Sequence, residues 1–413
     1  KAFGKAWTSY KTMGKDVGYY NWDYAIVPQL RSFIAVKDNW NKVGETYTLV
    51  RNPYFWKVDS EGRQLPYLDS IEVLIINEAE QAVLKATAGE LDMYIPSADD
   101  FVTVAMATKD THTIFKWTST DWGSQYTLAL NQTAKDLDKR KLFQDKTFRE
   151  ALSIGVDRTV MSATLSNSES DPYQCAVSEG NFGYSETWAK KWTEYGPGRA
   201  NELLDKLTEA WDRKEGTYRK MKGTDKDLEI VITLADAAQH GDFISLITSY
   251  YKKLGIKIST KVDAEEAKAK LNNDVECSIE RPSVSSPAIR PDDIVPMRNF
   301  KCWTGLYGKW YEDGKSEKNG GIAPTGDMLE LVNAYEAIRS AVGPDRNNII
   351  SENVQKIYKL HEDNIWIIGF LSARPTRWIV NSKIKNFPKT AMYVDEFRFA
   401  NMMRPEQLYI SEK

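Results

Sequence analysis

Hydrolysis, metal binding and phosphate binding each need particular side chains at particular spacings, and this chain offers few of them. Its three histidines, His112, His240 and His361, lie far apart, and none belongs to an H-E-x-x-H helix. Asp236 and His240 have i,i+4 spacing, but they fall in a loop before Asp242, so a metal site is not indicated. Asp292 and Asp293, with Glu280 upstream, are the acids that could flank a glycosidic bond. Adjacent residues in an extended segment point opposite ways, however, so the two are poorly placed to share one bond. There is no G-x-x-x-x-G-K-[ST] loop and no G-x-S-x-G elbow, and Gly196-Pro197-Gly198 reads as a turn before a helix. Cys175, Cys277 and Cys302 form no CxxC pair. Buried free thiols are the favoured reading, although Cys277 and Cys302 could pair.

Binding is better supplied than catalysis. Aromatic residues make up 12% of the chain, with 13 Trp and 21 Tyr. Their flat faces suit ligands as well as cores. Residues 281 to 312 concentrate Arg281, Asp292, Asp293, Trp303, Tyr307 and Trp310 directly after an expected strand at 275–279. In open α/β sheets ligands sit beyond the carboxyl ends of strands, and this segment is too long for a plain connector. It is therefore expected to give a ligand an aromatic platform and a charged partner. On that expectation Trp303→Ala weakens binding several-fold and leaves the unliganded protein's melting temperature nearly unchanged. Trp122 and Tyr126 are the other aromatic candidates.

The elements that must position these residues alternate. Residues 45–51 alternate polar and apolar as a half-buried strand does, and 67–76 resume as a strand. Ala79, Ala82, Val83 and Ala86 have helical spacing over 78–88, and Gly89 caps that helix before a strand at 91–95. Further strands are expected at 126–130, 228–234, 256–262, 275–279, 366–371 and 377–380. Helices are expected at 145–162, 198–207, 242–254, 264–272, 328–340 and 346–364. This is the pattern of an α/β protein. A length of 413 residues suits two lobes rather than one.

Composition excludes other classes. The chain is 42% hydrophobic and 27% charged, which fits a soluble globular protein. Lys and Arg (55) nearly balance Asp and Glu (58), so no electrostatic footprint for nucleic acid exists. The longest apolar runs are too short to cross a bilayer.

Several stretches resemble bacterial extracellular solute-binding protein family 5, the peptide/nickel/oligosaccharide class. They are RNPYFWKVDSEGRQLPYLD at 51–69, AEQAVLKATAGELD at 79–92, DKTFREALSIGVDR at 145–158, the Gly255-Ile256 step, and the NSKIKNFP and RPEQLY stretches near the end. Each motif identifies scaffold: turns at Asn52-Pro53 and Gly89, and a helix-end pair at Asp157-Arg158. The resemblance implies a large, type II-like, two-lobed periplasmic-binding-protein fold. Residues 1–129 and 381–413 would form lobe one and 130–380 lobe two, with crossovers near 130–139 and 380–386. Only 50 residues precede Arg51, so the N-terminal part of lobe one is expected to be absent.

The function implied is that of a substrate-binding component of an ABC importer. It would bind an oligopeptide-like ligand in an interlobe cleft and deliver it to membrane permease subunits, with no enzymatic activity and no cofactor. The ligand-binding candidates are Trp122, Tyr126, Arg281, Asp292, Asp293, Trp303, Tyr307 and Trp310. An oligosaccharide ligand is the nearest alternative, and a glycoside hydrolase or a non-transport receptor or chaperone-like binder is the alternative of another class. The resemblance further implies a monomer that is periplasmic or at the cell surface, with a lipid anchor on a preceding N-terminus as one form of the latter.

Overall fold

The computed structural model describes residues 30–35, 46–117, 122–237, 240–285, 287–391 and 402–411. Its strands are β1 (Phe33–Ala35), β2 (Thr46–Arg51), β3 (Ser70–Leu74), β4 (Met93–Tyr94), β5 (His112–Trp117), β6 (Tyr126–Leu130), β7 (Glu229–Leu234), β8 (Lys257–Val262), β9 (Cys277–Ser278), β10 (Ile367–Leu371), β11 (Thr376–Asn381), β12 (Ile384–Lys385) and β13 (Tyr409–Ile410). The chain divides into two units, at 118/119 and at 374/375. These boundaries differ from the expected ones. β6, expected in the first lobe, lies in the second unit. β11, expected in the second lobe, pairs with β5 of the first unit from Thr376↔Trp117 to Asn381↔His112.

The second unit is built on a five-stranded mixed sheet of order β10-β6-β9-β7-β8. β7 runs parallel to β8 and β9, while β6 runs antiparallel to β9 and to β10. Strand geometry sends alternate side chains to opposite faces, and both faces of the central strands are covered. Leu128, Leu130, Ile230, Ile232, Ile368 and Phe370 join one core with Phe148, Leu152, Phe243 and Tyr251. Ala129, Trp366 and Ile367 join a second core with Trp188, Trp303, Leu331 and Ile357. That is why the β10 sequence, IIGFL, is an unbroken apolar run with every residue buried.

The helix expected over 145–162 is two helices. Asp145 caps Lys146–Ile154 by accepting from the Thr147 N–H (2.7 Å). Asp157 caps Arg158–Ser166 by accepting from Thr159 (2.9 Å) and Val160 (3.2 Å). At the break, a Cβ on Gly155 would lie 2.5 Å from Leu254 Cδ1, so any larger residue there would have to displace that leucine side chain. Asp157-Arg158 is therefore a helix start, not a helix end. Arg158 turns inward and is fully buried. Its guanidinium donates to the Gly369 carbonyl on β10 (2.8 Å), the Ser153 carbonyl (2.6 Å) and Ser153 Oγ (2.8 Å). Arg149 likewise donates to the carbonyls of Asn364 (2.9 Å) and Phe143 (2.6 Å). Burial lowers both guanidinium pKa values to about 10, which leaves them cationic at neutral pH.

The first unit contains three small sheets, of order β1-β2-β3, β4-β11-β5 and β12-β13. A helix (Ala98–Ala107) and β5, neither expected from the sequence, supply much of its packing. Trp117 stacks on Phe387 (centroids 5.3 Å, planes 23° apart) and donates to the Pro388 carbonyl (3.0 Å).

All three cysteines are buried and free. His361 is buried among Trp303, Trp366 and Trp188, with ring centroids 5.3 to 6.4 Å away. Its Nε2 lies 2.7 Å from the Ile294 carbonyl, which can only accept, so Nε2 carries the proton. Burial pulls the imidazole pKa down to about 4. The folded protein thus binds fewer protons than the unfolded chain between about pH 6.5 and about 4, and stability falls as pH drops through that window. The loss attributable to this residue should be on the order of 3 kcal/mol. Urea unfolding across pH 7 to 4 should show that slope. His361→Gln, which keeps a donor and does not titrate, should flatten it.

Candidate ligand-binding end of the five-stranded sheet

The carboxyl ends of β7, β8 and β9 lie at one end of the sheet. Because β6 runs the other way, it begins there, and β10 ends there with Leu371 opposite Tyr126. The segments beyond Leu234, Ser278 and Leu371, and the one before Tyr126, therefore collect at a single sheet end, where α/β folds hold ligands.

Three of the candidate residues lie at this end. Trp122 forms an isolated bridge with Ser283, and the Arg281 guanidinium stands 5.3 Å from its ring centroid. The Gly123 N–H donates to the Pro282 carbonyl (3.0 Å). A Cβ on Gly123 would meet Val284 at 2.9 Å and Cys175 at 3.0 Å, so glycine allows the two segments to touch. Tyr126 stacks on Phe243 (4.9 Å, 15°) and meets His240 edge-on (6.2 Å). Thr127 ties β6 to the residue before Arg281: its hydroxyl donates to the Glu280 carbonyl (2.5 Å) and accepts from the Glu280 N–H (3.2 Å).

The remaining candidates have other surroundings. Trp303 has no exposed surface, and its indole donates to the Asp293 carbonyl (3.2 Å). It belongs to the core and offers no face to a ligand in this structure. Asp293 is also buried. Its carboxylate pairs with Lys301 and accepts from the Ser283 N–H (2.8 Å). Tyr307 is buried, and its hydroxyl accepts from Gln144 (2.9 Å). Asp292 is half-buried and pairs with Arg298 (3.5 Å). It and Asp293 occupy a short 3-10 turn, Pro291–Asp293, rather than an extended segment. Trp310 is half-buried and packs so tightly on Gly321 that a Cβ there would come within 2.6 Å of its backbone. The long loop thus turns most of its aromatic surface inward and contributes Arg281 to the sheet end.

Two buried acids fix that loop. Glu280 pairs with Lys270 (3.3 Å) and accepts from the Cys302 N–H (3.1 Å) and Ser278 Oγ (3.0 Å). Burial alone would raise its pKa, but Lys270, Lys301 and the hydrogen bonds from Cys302 and Ser278 together outweigh burial and hold it below the ordinary value.

His240, which was not among the candidates, also lies at this end, edge-on to Tyr126. It lies between β7 and the helix Gly241–Lys252, with φ of 59°. Burial lowers its pKa, and Arg281 lowers it further. Its position just past a parallel strand was the signal that pointed here. Among the described residues no group of His, Cys, Asp and Glu could hold a metal ion. In the first unit, an open depression of about 660 Å³ is lined mainly by helix-end backbone, Asn381–Lys383 and His112. The His112 ring there is already bonded to the Leu91 carbonyl (3.0 Å) and Thr111 (2.8 Å).

These placements separate two tryptophans. Trp303→Ala should cost about 3–5 kcal/mol by emptying a core site. Trp122→Ala, at a partly exposed position, should cost under about 1 kcal/mol. Thermal or urea unfolding of both variants checks this. Equal losses would show that Trp122 is also a packing residue.

Comparison with known proteins agrees with this architecture. The family described as bacterial extracellular solute-binding proteins, family 5, middle region, matches residues 36–290. A probable ABC transporter-binding protein of Deinococcus radiodurans is 27% identical over 227 residues, covering 54% of this chain and 38% of that protein. The oligopeptide-binding protein AppA of Bacillus subtilis is 21% identical over 294 residues, 69% of this chain and 50% of AppA. The matches therefore span half or less of those relatives' lengths. Among solved structures, the oligopeptide-binding protein OppA superposes with a TM-score of 0.72 at 25% identity, covering all of this chain and 67% of OppA. The periplasmic binding protein MelB of Agrobacterium fabrum, in complex with stachyose, superposes with a TM-score of 0.66 at 18% identity, covering 93% of this chain and 57% of MelB. The fold is thus that of the two-lobed periplasmic binding proteins, and the chain belongs to the bacterial extracellular solute-binding proteins, family 5.

Proposed function

We propose that this protein is the extracytoplasmic substrate-binding component of an ABC importer, that it takes an oligopeptide-like ligand, and that it hands this ligand to membrane permease subunits. The observation that carries the reading is the match to the solute-binding family over residues 36–290, together with relatives named as oligopeptide-binding. The ligand is held at the sheet end where Trp122, Tyr126 and Arg281 meet. The partly exposed Trp122 and the exposed Arg281 supply a flat apolar face and a charge, which suit a polar organic solute. Asp292, Asp293, Trp303, Tyr307 and Trp310 support that end by fixing the loop.

A mass spectrum of material carried through purification should show short peptides. Calorimetry with tri- and tetrapeptides should give binding that Trp122→Ala weakens several-fold, since one aromatic face contributes on the order of 1 kcal/mol. Binding of stachyose instead of peptides would favour the oligosaccharide reading. Turnover of peptides or glycosides by the pure protein would overturn both.

A further inference from the structure

We propose that Asn319 is a site of spontaneous covalent modification. Its side-chain amide cyclises onto the Gly320 nitrogen, releases ammonia and hydrolyses mainly to isoaspartate, and the product frees the surrounding turn from Trp310. The site is independent of which ligand the protein takes.

A peptide nitrogen reaches the side-chain carbonyl carbon of the residue before it most easily where it is least crowded, and glycine, lacking Cβ, crowds it least. Residues 313–325 join the helices Leu306–Glu312 and Gly326–Ser340. They contain the chain's one Asn-Gly step, Asn319-Gly320, and its one Asp-Gly step, Asp313-Gly314. Asn319 and Gly320 are both exposed, and a Cβ built on Gly320 would meet nothing within 4 Å, so solvent base reaches the peptide nitrogen. The Gly320 N–H donates to the Glu317 carbonyl (3.0 Å), which closes a turn over 317–320. That bond must open before attack. It lies at the surface, where water competes for both groups, so it opens readily.

The rival steps are held. Asp313 pairs with Lys309 (3.0 Å), and a carboxylate is a poorer electrophile than an amide. The Gly314 N–H is bonded to the Tyr311 carbonyl (3.1 Å). Asn167 and Asn381 precede the small residue serine. Asn381 donates its amide to Asp92 (2.8 Å) and accepts from the Lys383 N–H (3.0 Å), while the Ser382 N–H is bonded to the Thr111 carbonyl (2.9 Å). Asn167 ends the helix Arg158–Ser166 in a left-handed conformation, and the Ser168 N–H is bonded to the Ser162 carbonyl (3.1 Å).

The Gly320 nitrogen gives its proton to hydroxide and bonds to Asn319 Cγ. The Cγ–Nδ2 bond breaks, and Nδ2 leaves as ammonia with a proton from water. Water then opens the cyclic imide. Opening at Cγ gives aspartate, and opening at the Asn319 main-chain carbonyl carbon gives isoaspartate. No oxidation state changes, and water is the sole co-reactant. Isoaspartate adds a backbone methylene between anchored flanks. The Ser316 N–H donates to the Trp310 carbonyl (3.2 Å), and the Ile322 N–H to the Leu306 carbonyl (3.0 Å). The Glu317 carboxylate accepts from the Ala323 N–H (2.9 Å). Gly321 sits so close to Trp310 that a Cβ there would fall 2.6 Å from the Trp310 Cα. The longer backbone therefore breaks the bond between Gly320 and Glu317 and lifts Gly321 off Trp310.

The full chain is aged in warm, mildly alkaline buffer, then followed by ion exchange and by peptide mapping with isoaspartate detection. A more acidic species should accumulate, since one added negative charge takes the formal net charge from -3 to -4. The change should map to Asn319, with isoaspartate exceeding aspartate, while Asn167, Asn381 and Asp313 stay intact. Asn319→Gln, an exposed change, should abolish the acidic species. Tryptic cleavage after Lys315 and Lys318 should be several-fold faster in the aged protein. Asn319→Asp, which adds the charge without the methylene, should cleave at the unaged rate. An acidic species that survives Asn319→Gln, or conversion of Asn319 only in urea, overturns the modification site. Equal cleavage of aged and fresh protein overturns the release from Trp310.

Discussion

Glu280 lies buried between Lys270 and Lys301, and the arrangement of the sheet end depends on it. A buried charge persists only where partners meet it, because its desolvation costs several kcal/mol. Here the partners come from three directions: Lys270 from a helix, Ser278 from β9, and the Cys302 N–H from the far end of the long loop. Holding Glu280 therefore closes the loop over residues 281–301 onto the sheet. Lys301 then reaches Asp293, whose other oxygen accepts from Ser283, so a second buried acid secures the loop's middle. With Glu280 turned inward, its neighbour Arg281 emerges beside Trp122. Position and charge at the sheet end both follow from that one buried carboxylate.

The scaffold beneath uses a different solution for buried charge. Among the described residues, Arg149 and Arg158 have no carboxylate within hydrogen-bonding reach and are satisfied by carbonyls and a serine hydroxyl. Each links a helix to a separate part of the chain: Arg149 to the carbonyl of Asn364, at the end of a long helix, and Arg158 to Gly369 within β10. A guanidinium has five donors, so it can gather several backbone acceptors that would otherwise be left unpaired around the kink at Gly155. Removing one such arginine exposes all of those acceptors to an apolar surround at once. The family-like segment at 145–158 is thus a set of backbone clamps rather than part of a binding surface.

Much of the secondary structure was legible because period-two and period-3.6 patterns are strong in covered elements, as in β6, β7 and the helix Arg346–Asn364. The misses have local causes. The helix Ala98–Ala107 starts from a Ser97 cap after Pro96 and has little buried surface to mark a stripe. β5 alternates weakly, with burial only at its ends. The unit boundaries were misplaced because pairing between β5 and β11 is a contact across some 260 residues, which no local pattern reports. The candidate site was partly legible. Trp122 and Arg281 lie in contact at the sheet end where Tyr126 begins β6, but Trp303, Tyr307 and Asp293 could not be told from exposed loop residues, since their burial depends on helices that follow them in the chain.

Tryptophan shows why composition alone was ambiguous. Trp117, Trp188, Trp303, Trp366 and Trp378 are all buried, so half of the ten described tryptophans fill cores. A large ring in a core is held by neighbours on every side, as Trp303 is by His361 and Trp366. Trp122 is held differently: the close Gly123 contact fixes its backbone, and its ring meets an exposed guanidinium as well as packed atoms. A guanidinium on an aromatic face is weakly hydrated already, so exchanging its remaining water for a carboxylate costs less than desolvating a free ammonium. The pairing of a partly exposed ring with an exposed cation is what sets Trp122 apart from the packing tryptophans, and it becomes visible only once the fold has brought Arg281 beside it.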